Sequence, residues 1–356
     1  MSICGGVFLS EKINFFAFSI LKKRFHRCIM VQNCNIAHLY PFCLNFWQYN
    51  SQRVKNPGSG ELILKADLHC HTKLSDGTIG IDDLIVLAKN SGVTTIAVTD
   101  HDCQAGTVRA EIIGRRYGIT VIPAVEFSAT DTKRGAKAHI LCYLPDRPER
   151  LEGLCKSNSM LRKRAGQLMA AKVARKFPVS TEFISKCCQG STNIFKQHIM
   201  QALMECGYTT SIFGDLYKML FTKESRMNVL MEVTYPDPRE IIDAIHEAGG
   251  IAVLAHPGFY DNFELLDELI KEEKLDGIEV YHPENTPEQQ EMLLKLAKKN
   301  GLVVTGGSDF HGAFNAYPVK LGEYGPNEDE VSALLAYKAK KRRKQKKLEA
   351  AVAAAE

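Results

Sequence analysis

The sequence predicts an α/β fold, a mostly parallel sheet with helices outside it, interrupted by a helical insertion. Three observations carry this. Short apolar runs alternate with helix-period stretches from Leu62 to Leu144, and again from Pro238 to Thr305. Between them, residues 150–235 keep the helical period and lose the strand signal. About seven strands result, a number that favours a closed or nearly closed barrel over an open sheet, although spacing does not prove closure.

Leu62–Leu68 is expected as the first strand. Asp82–Asn90 reads as a helix, with Leu84, Ile85, Leu87 and Ala88 apolar and Ser91-Gly92 to stop it. Thr94–Thr99 is a β-branched strand and Ala105–Tyr117 a helix. Ile119–Val125 is a strand, Asp131–Lys137 a polar loop and Ala138–Leu144 the next strand. Arg147–Lys176 then carries a long helical pattern rich in Lys and Arg. Helices at Thr181–Cys188, Ile194–Glu205 and Ser211–Leu220 follow. The core resumes with the helix Pro238–Ala248, the strand Ile251–Ala255, the helix Phe263–Glu273 and the strand Gly277–Tyr281. The helix Pro287–Lys299, ended by Asn300-Gly301, leads into the strand Leu302–Thr305. The expected organisation is a barrel from 61–149 and 236–336, a helical cap at 150–235, an extension at 1–60 and a basic helical tail at 337–356.

The composition, 45% hydrophobic and 24% charged, is that of a globular protein. The net charge of +4 hides an asymmetry. Residues 1–60 hold one acid, Glu11, against Lys12, Lys22, Lys23, Arg24, Arg27, Arg53 and Lys55. From Lys338 to Lys347, eight of ten residues are Lys or Arg. The core between these ends is not notably basic, so its own charge does not argue for a nucleic-acid platform. The 11 cysteines show no Cys-x-x-Cys and no repeated spacing, which reads as free thiols in a reducing, cytoplasmic setting. The acid-poor start, with Phe15-Phe16-Ala17-Phe18-Ser19-Ile20-Leu21 beside Lys22-Lys23-Arg24, reads as a poorly ordered extension; organelle targeting is the alternative. Its apolar run is too short to span a bilayer, and no stable membrane association is expected. Asn56-Pro57-Gly58-Ser59-Gly60 is the linker into the folded part.

The chemistry lies at the strand ends. His69 and His71, in Asp67-Leu68-His69-Cys70-His71, follow the first strand; at i and i+2 on extended chain they point to one side. Asp76 sits in the turn beyond. Asp100 and His101 follow the second strand, Glu126 the third, His256 the strand Ile251–Ala255, and Asp309 and His311 the last. In an α/β barrel these ends meet on one face. His139 starts its strand instead. A short, helix-free connection from Glu126 lets that strand run antiparallel, which brings His139 to the same edge. Six histidines, Asp76, Asp309 and Glu126 exceed one mononuclear site and point to two or three divalent ions, with Glu126 bridging. Mixed His/carboxylate ligation without thiolate suits Mn, Fe or Zn. Such ions lower the pKa of bound water and clamp phosphoryl oxygens, so phosphoester hydrolysis is the expected reaction. Amide or amidine hydrolysis is the alternative from ligand chemistry alone.

His69-Cys70-His71, Thr99-Asp100-His101-Asp102, Ala255-His256-Pro257 and Ser308-Asp309-Phe310-His311 together resemble the four ordered motifs of the PHP (polymerase and histidinol phosphatase) superfamily. The resemblance covers Leu62 to Gly325. It implies a distorted (β/α)7 barrel with a two- or three-metal centre, commonly Mn, Fe or Zn. It also implies that His69, His71, Asp76, His101, Glu126, His139, His256, Asp309 and His311 are the ligands, with no catalytic residue separate from them. Val125-Glu126-Phe127-Ser128, Ala138-His139-Ile140-Leu141 and Gly277-Ile278-Glu279-Val280-Tyr281 are similar to the stand-alone branch. That branch includes nucleoside 3′,5′-bisphosphate phosphatases and enzymes that trim the 5′ ends of short RNAs; a histidinol-phosphatase-like or other small-molecule phosphatase is the alternative. No polymerase modules are present. Where the branch usually shows Arg-x-His, this chain reads Phe195-Lys196-Gln197-His198-Ile199, so Lys196 and His198 are substrate-binding candidates with Arg162, an exposed helical pair being the bland alternative. Arg164 is a weaker candidate, and His282 a candidate pocket residue. A competing reading of another class is a non-catalytic RNA-associated protein that uses the basic tail.

Overall fold

The computed structural model describes residues 65–353, with side chains through Arg343. The expected extension at 1–60 and the Leu62–Leu64 start of the first strand lie outside the described residues. A single sheet holds seven strands in chain order. β1 (Lys65–Asp67), β2 (Val93–Val98) and β3 (Thr120–Asp131) run parallel. β4 (Ala136–Tyr143) folds back antiparallel on β3, and β5 (Ile251–Leu254) is antiparallel to β4. β5, β6 (Gly277–Tyr281) and β7 (Val303–Gly306) are again parallel. Only β4 is reversed, as the short connection implied.

The sheet closes beyond its regular strands. The Leu68 N–H donates to the Gly306 carbonyl at 3.1 Å, and the His71 N–H to that of Phe310 at 2.9 Å. Cys70 and Phe310 form a parallel bridge. The two edges therefore satisfy one another through the segments that carry the site.

Two-residue alternation sorts the strands. Val125, Phe127, Ile140, Cys142, Ile278 and Val280 face the helix layer. Ala97, Ala124, Leu141, Tyr143 and Val253 pack inside with Leu68, the small residues leaving room for the large. The Tyr143 hydroxyl donates to the Leu68 carbonyl at 2.8 Å, which satisfies a buried phenol. On the same alternation Glu126, His139 and Glu279 point inward, at the rim.

Helices α1 (Ile81–Asn90) and α2 (Thr107–Tyr117) cross between the first strands and pack Leu84, Ile85, Ala88 and Ala110 on Val93, Ile96 and Val98. The stretch after β4 forms α3 (Glu152–Lys176), α4 (Thr181–Cys187), α5 (Lys196–Glu205) and α6 (Asp215–Phe221). These gather a core of their own from Met169, Val173, Ile184, Ile199, Leu203 and Leu220, into which Phe314 of the loop after β7 inserts. Then α7 (Pro238–Glu247), α8 (Phe263–Lys271) and α9 (Pro287–Asn300) bury Ile241, Ile245, Leu266, Leu269 and Leu293 on the sheet. Each such fully buried Leu or Ile contributes about 1.5–3 kcal/mol by transfer from water. α9 opens on Pro287 with a reciprocal Thr286–Gln289 cap and closes on Gly301 at φ 65°.

The last helix, α10, spans Glu328–Ala353, so it begins well before Tyr337. Leu334 is buried on the barrel with Val331 and Tyr337 beside it. The tail was expected to be solvated, yet its first basic residues are anchored. Lys338, 4% exposed, donates to Asp146 at 2.7 Å, and Lys341 donates to Asp276 at 2.7 Å. The two acids lie far away in sequence, so no local window shows the pairing. Among the described residues no helix is long and apolar enough to cross a membrane.

Candidate metal centre

All nine candidate ligands converge on one rim. His71, Asp76, His101 and His311 form one group; His69, Glu126 and His256 a second; His69, His71 and Asp309 a third; His101, Glu126 and His139 a fourth. Within each group the donor atoms lie within 4.8 Å of one another.

Glu126 is the hub. Its Oε2 lies 3.4 Å from His69 Nε2, 3.3 Å from His71 Nε2 and 2.9 Å from His101 Nδ1. Its Oε1 lies 2.8 Å from His139 Nδ1 and 3.1 Å from His256 Nε2. Despite these approaches, Oε2 and His101 Nδ1 have no hydrogen-bond partner, and neither does Asp76 Oδ1, 3.3 Å from His311 Nε2. His69 Nε2 and His71 Nε2 are 3.2 Å apart. Buried acceptors that crowd without hydrogen-bond geometry are the arrangement of lone pairs directed at shared cations, so the residues present fit divalent ions. Burial opposes the charge on Glu126, but His139, His101 and His69 outweigh it and hold the carboxyl well below the usual range. Burial likewise opposes charge on Asp309, and His311 and His69 more than offset it. The donor set is thus anionic oxygen plus imidazole, suited to Mn, Fe or Zn. Buried Cys70 lies outside every group.

The loops that carry these residues are held by three buried aspartates. Asp67 accepts from the Ser308 N–H at 3.0 Å and the Ser308 hydroxyl at 2.6 Å, tying the first motif to the last. Asp100, at a strand end but in none of the groups, accepts from the Thr72 N–H at 2.8 Å and the Ser75 hydroxyl at 2.6 Å. Asp102 accepts from the Ser128 N–H at 3.1 Å, Asn158 at 2.7 Å and Arg162 at 2.6 Å. His256 (φ 24°) and Asp309 (φ 49°) occupy left-handed backbone without being glycine, a strain that clusters at functional sites.

The rim floors a cavity of about 650 Å³, walled by the insertion, including its 230–235 segment. Arg162 and Lys196 both line it. The Arg162 guanidinium lies between the rings of Phe195 (4.9 Å) and Tyr235 (5.3 Å), and its buried Nε has no partner. Burial, with Lys137 and Arg162 nearby, lowers the pKa of Lys196 to about 8. His198 is placed differently. It is buried, its Nδ1 accepts from the Phe195 N–H at 3.1 Å, and its ring packs between Phe195 and Phe314. Its observed part is to cap α5, and it does not line the cavity, so the exposed-pair alternative fails for it as well. Arg164 is exposed and does not line the cavity. Buried His282 places Nε2 3.6 Å from Asp309 Oδ2.

Glu279, which is not among the nine candidate ligands, lies against His69 and His282 in a fifth group. The available signal was an acid amid the apolar residues of β6. Tyr235 and Tyr260 also line the cavity, and no sequence pattern marks them.

The family model described as the PHP domain matches residues 67–255. The phosphoribosyl 1,2-cyclic phosphate 1,2-diphosphodiesterase of Eggerthella lenta is 36% identical over 255 residues, covering 71% of this chain and 96% of that protein. The chain belongs to the PHP family. Another PHP relative by sequence, the 5′-3′ exoribonuclease of Haemophilus influenzae, is 29% identical over 275 residues, 76% of this chain and 97% of its own. A crystal structure from Bifidobacterium adolescentis, described as a metal-dependent phosphoesterase, superposes with a TM-score of 0.69 at 30% identity over 77% of this chain and 96% of that one. This PHP chain is a metal-dependent phosphoesterase on the family's (β/α)7 barrel, and divalent metal is its cofactor.

Proposed function

We propose that this PHP chain removes phosphate from a phosphorylated ribose unit, either a nucleotide such as a nucleoside 3′,5′-bisphosphate or the 5′ end of a short RNA. The single observation that carries this is the cavity. Its floor is lined by Asp76, His101, Glu126, His139, His256, Asp309 and His311, with His69 and His71 buried in the same rim, and its walls bring in the cations Arg162 and Lys196. About 650 Å³ accommodates a nucleotide-sized ligand. Those nine residues are the proposed ligands that would hold two or three Mn ions, with Glu126 shared between them. When bound, such ions supply an activated water and neutralise charge on the phosphoryl oxygens.

The chain's own groups do the rest. Arg162, fixed by Asp102 and two aromatic faces, offers unused donors to a phosphate. Lys196 offers a point charge. Residues 150–235 act as a cap that selects the substrate, and seven free thiols among the described residues support a reducing, cytoplasmic location. The Eggerthella lenta relative favours a second reading, a cyclic phosphodiester of phosphoribose, which shares the same ribose phosphate.

The test is a panel run with Mn and with chelator: a nucleoside 3′,5′-bisphosphate, a 5′-phosphorylated short RNA, a phosphoribosyl cyclic phosphate and histidinol phosphate. Mn-dependent turnover of a ribose phosphate is expected. Turnover of histidinol phosphate alone would overturn the substrate assignment.

A further inference from the structure

We propose that Glu279 is the positioning residue of the metal centre: one carboxylate fixes the tautomer of His69 and anchors the backbone of His256. The inference rests on the metal-centre reading above and assigns a role to a residue outside its nine proposed ligands.

Glu279 is fully buried in β6, between Ile278 and Val280, which face the helix layer. A buried carboxylate destabilises a barrel unless both oxygens are served. Here both are. Oε1 lies 2.9 Å from His69 Nδ1, and Oε2 accepts from the His256 N–H at 2.8 Å. An ionised carboxylate only accepts, so His69 Nδ1 carries the proton and Nε2 keeps its lone pair. That Nε2 lies 3.2 Å from His71 Nε2 and 3.4 Å from both Glu126 Oε2 and Asp309 Oδ1, the point on which the donors converge. The opposite tautomer would aim an N–H at that point and remove a ligand.

The second oxygen acts on backbone. His256 sits at φ 24°, a conformation its side chain disfavours, and its N–H is tied to Oε2. Asn285 donates to the carbonyls of Glu279 at 3.2 Å and Val280 at 2.9 Å, which stiffens the end of β6. One side chain thus joins the ends of β1, β5 and β6, where two proposed ligands stand.

Glu279→Gln isolates this role. An amide has one accepting oxygen and one NH2, so it serves either His69 or the His256 N–H while presenting a donor to the other. Purified full-length chains dialysed against graded free Mn are expected to show about 10- to 100-fold weaker metal binding for Glu279→Gln than for wild type. With excess Mn, kcat should return toward wild type at unchanged substrate KM, which a collapsed barrel would not allow. If the variant does not fold, the wild-type protein decides the matter. In the zinc-loaded, diamagnetic chain, 15N-histidine spectra are expected to place the His69 proton on Nδ1. A folded Glu279→Gln variant with wild-type Mn affinity, or a His69 proton on Nε2, overturns the proposal. Failure of wild type to bind Mn at all would instead overturn the metal-centre reading.

Discussion

Gly307 shows how closely the centre is built. A Cβ there would lie 2.3 Å from His69 Cβ and 2.4 Å from its backbone nitrogen, with no flexible end to move aside. Gly307→Ala is expected to displace His69, costing roughly 1–3 kcal/mol in urea unfolding and weakening Mn binding. Wild-type values for both would show that the two strand ends are not held in contact. Lys196 gives a pH signature. With its pKa lowered to about 8, it is cationic below that value and neutral above it. If it grips phosphate, KM rises as pH climbs through about 8, whereas Lys196→Arg, charged throughout, flattens the rise. Identical profiles would remove Lys196 from the substrate site. Most of the nine rim residues were legible because a metal-capable side chain follows an apolar run; Asp76 lies in the turn beyond one, and His139 needed the reversed strand to reach the same edge. Glu279 was not, because it interrupts one, and its partners His69 and His256 come from distant stretches. His198 was misleading because an Arg-x-His-like pattern at a helix start also makes a cap.

Among the elements, the alternation of apolar runs with helical stretches located every strand, and the boundaries moved for physical reasons. β3 was expected to stop at Val125 but runs to Asp131. Its inward residues beyond that point are Glu126, Ser128 and Thr130, polar because they face the rim and cavity, so the apolar run that marks the strand stops at Val125. α10 was half legible: its charge was visible, its anchors were not. Burial opposes the charge on Asp276, yet His246 and Lys341 hold its pKa well below the usual range. A carboxyl depressed in the folded state stabilises above its ordinary value near 4, and that contribution is lost as pH falls. Asp276→Asn should therefore cost about 1.5–3 kcal/mol at neutral pH, with the difference from wild type shrinking on acidification below pH ~4. A pH-independent difference in urea unfolding would show that the anchor works through packing alone.

For the molecule as a whole, closure was the feature the spacing left open. It is made by contacts of the segment just past β1 with the end of β7 and the loop beyond it, Leu68 to Gly306 and Cys70 to Phe310, between residues more than two hundred positions apart. Those segments carry His69, His71, Asp309 and His311, so the contacts that close the barrel also bring four of the nine rim residues together. Metal held by the proposed rim ligands would stabilise the folded state by mass action, so chelation is expected to lower the unfolding temperature. The most direct measurement takes metal content and phosphate release on the same preparations of wild type and Asp309→Ala. Wild type is expected to hold about two or three Mn ions per chain and to release phosphate from a ribose phosphate until chelator is added. Asp309→Ala is expected to keep the far-UV spectrum of a folded barrel, lose part of the metal and lose turnover. Phosphate release that persists in chelator, or in Asp309→Ala, would contradict a phosphoesterase centre at this rim.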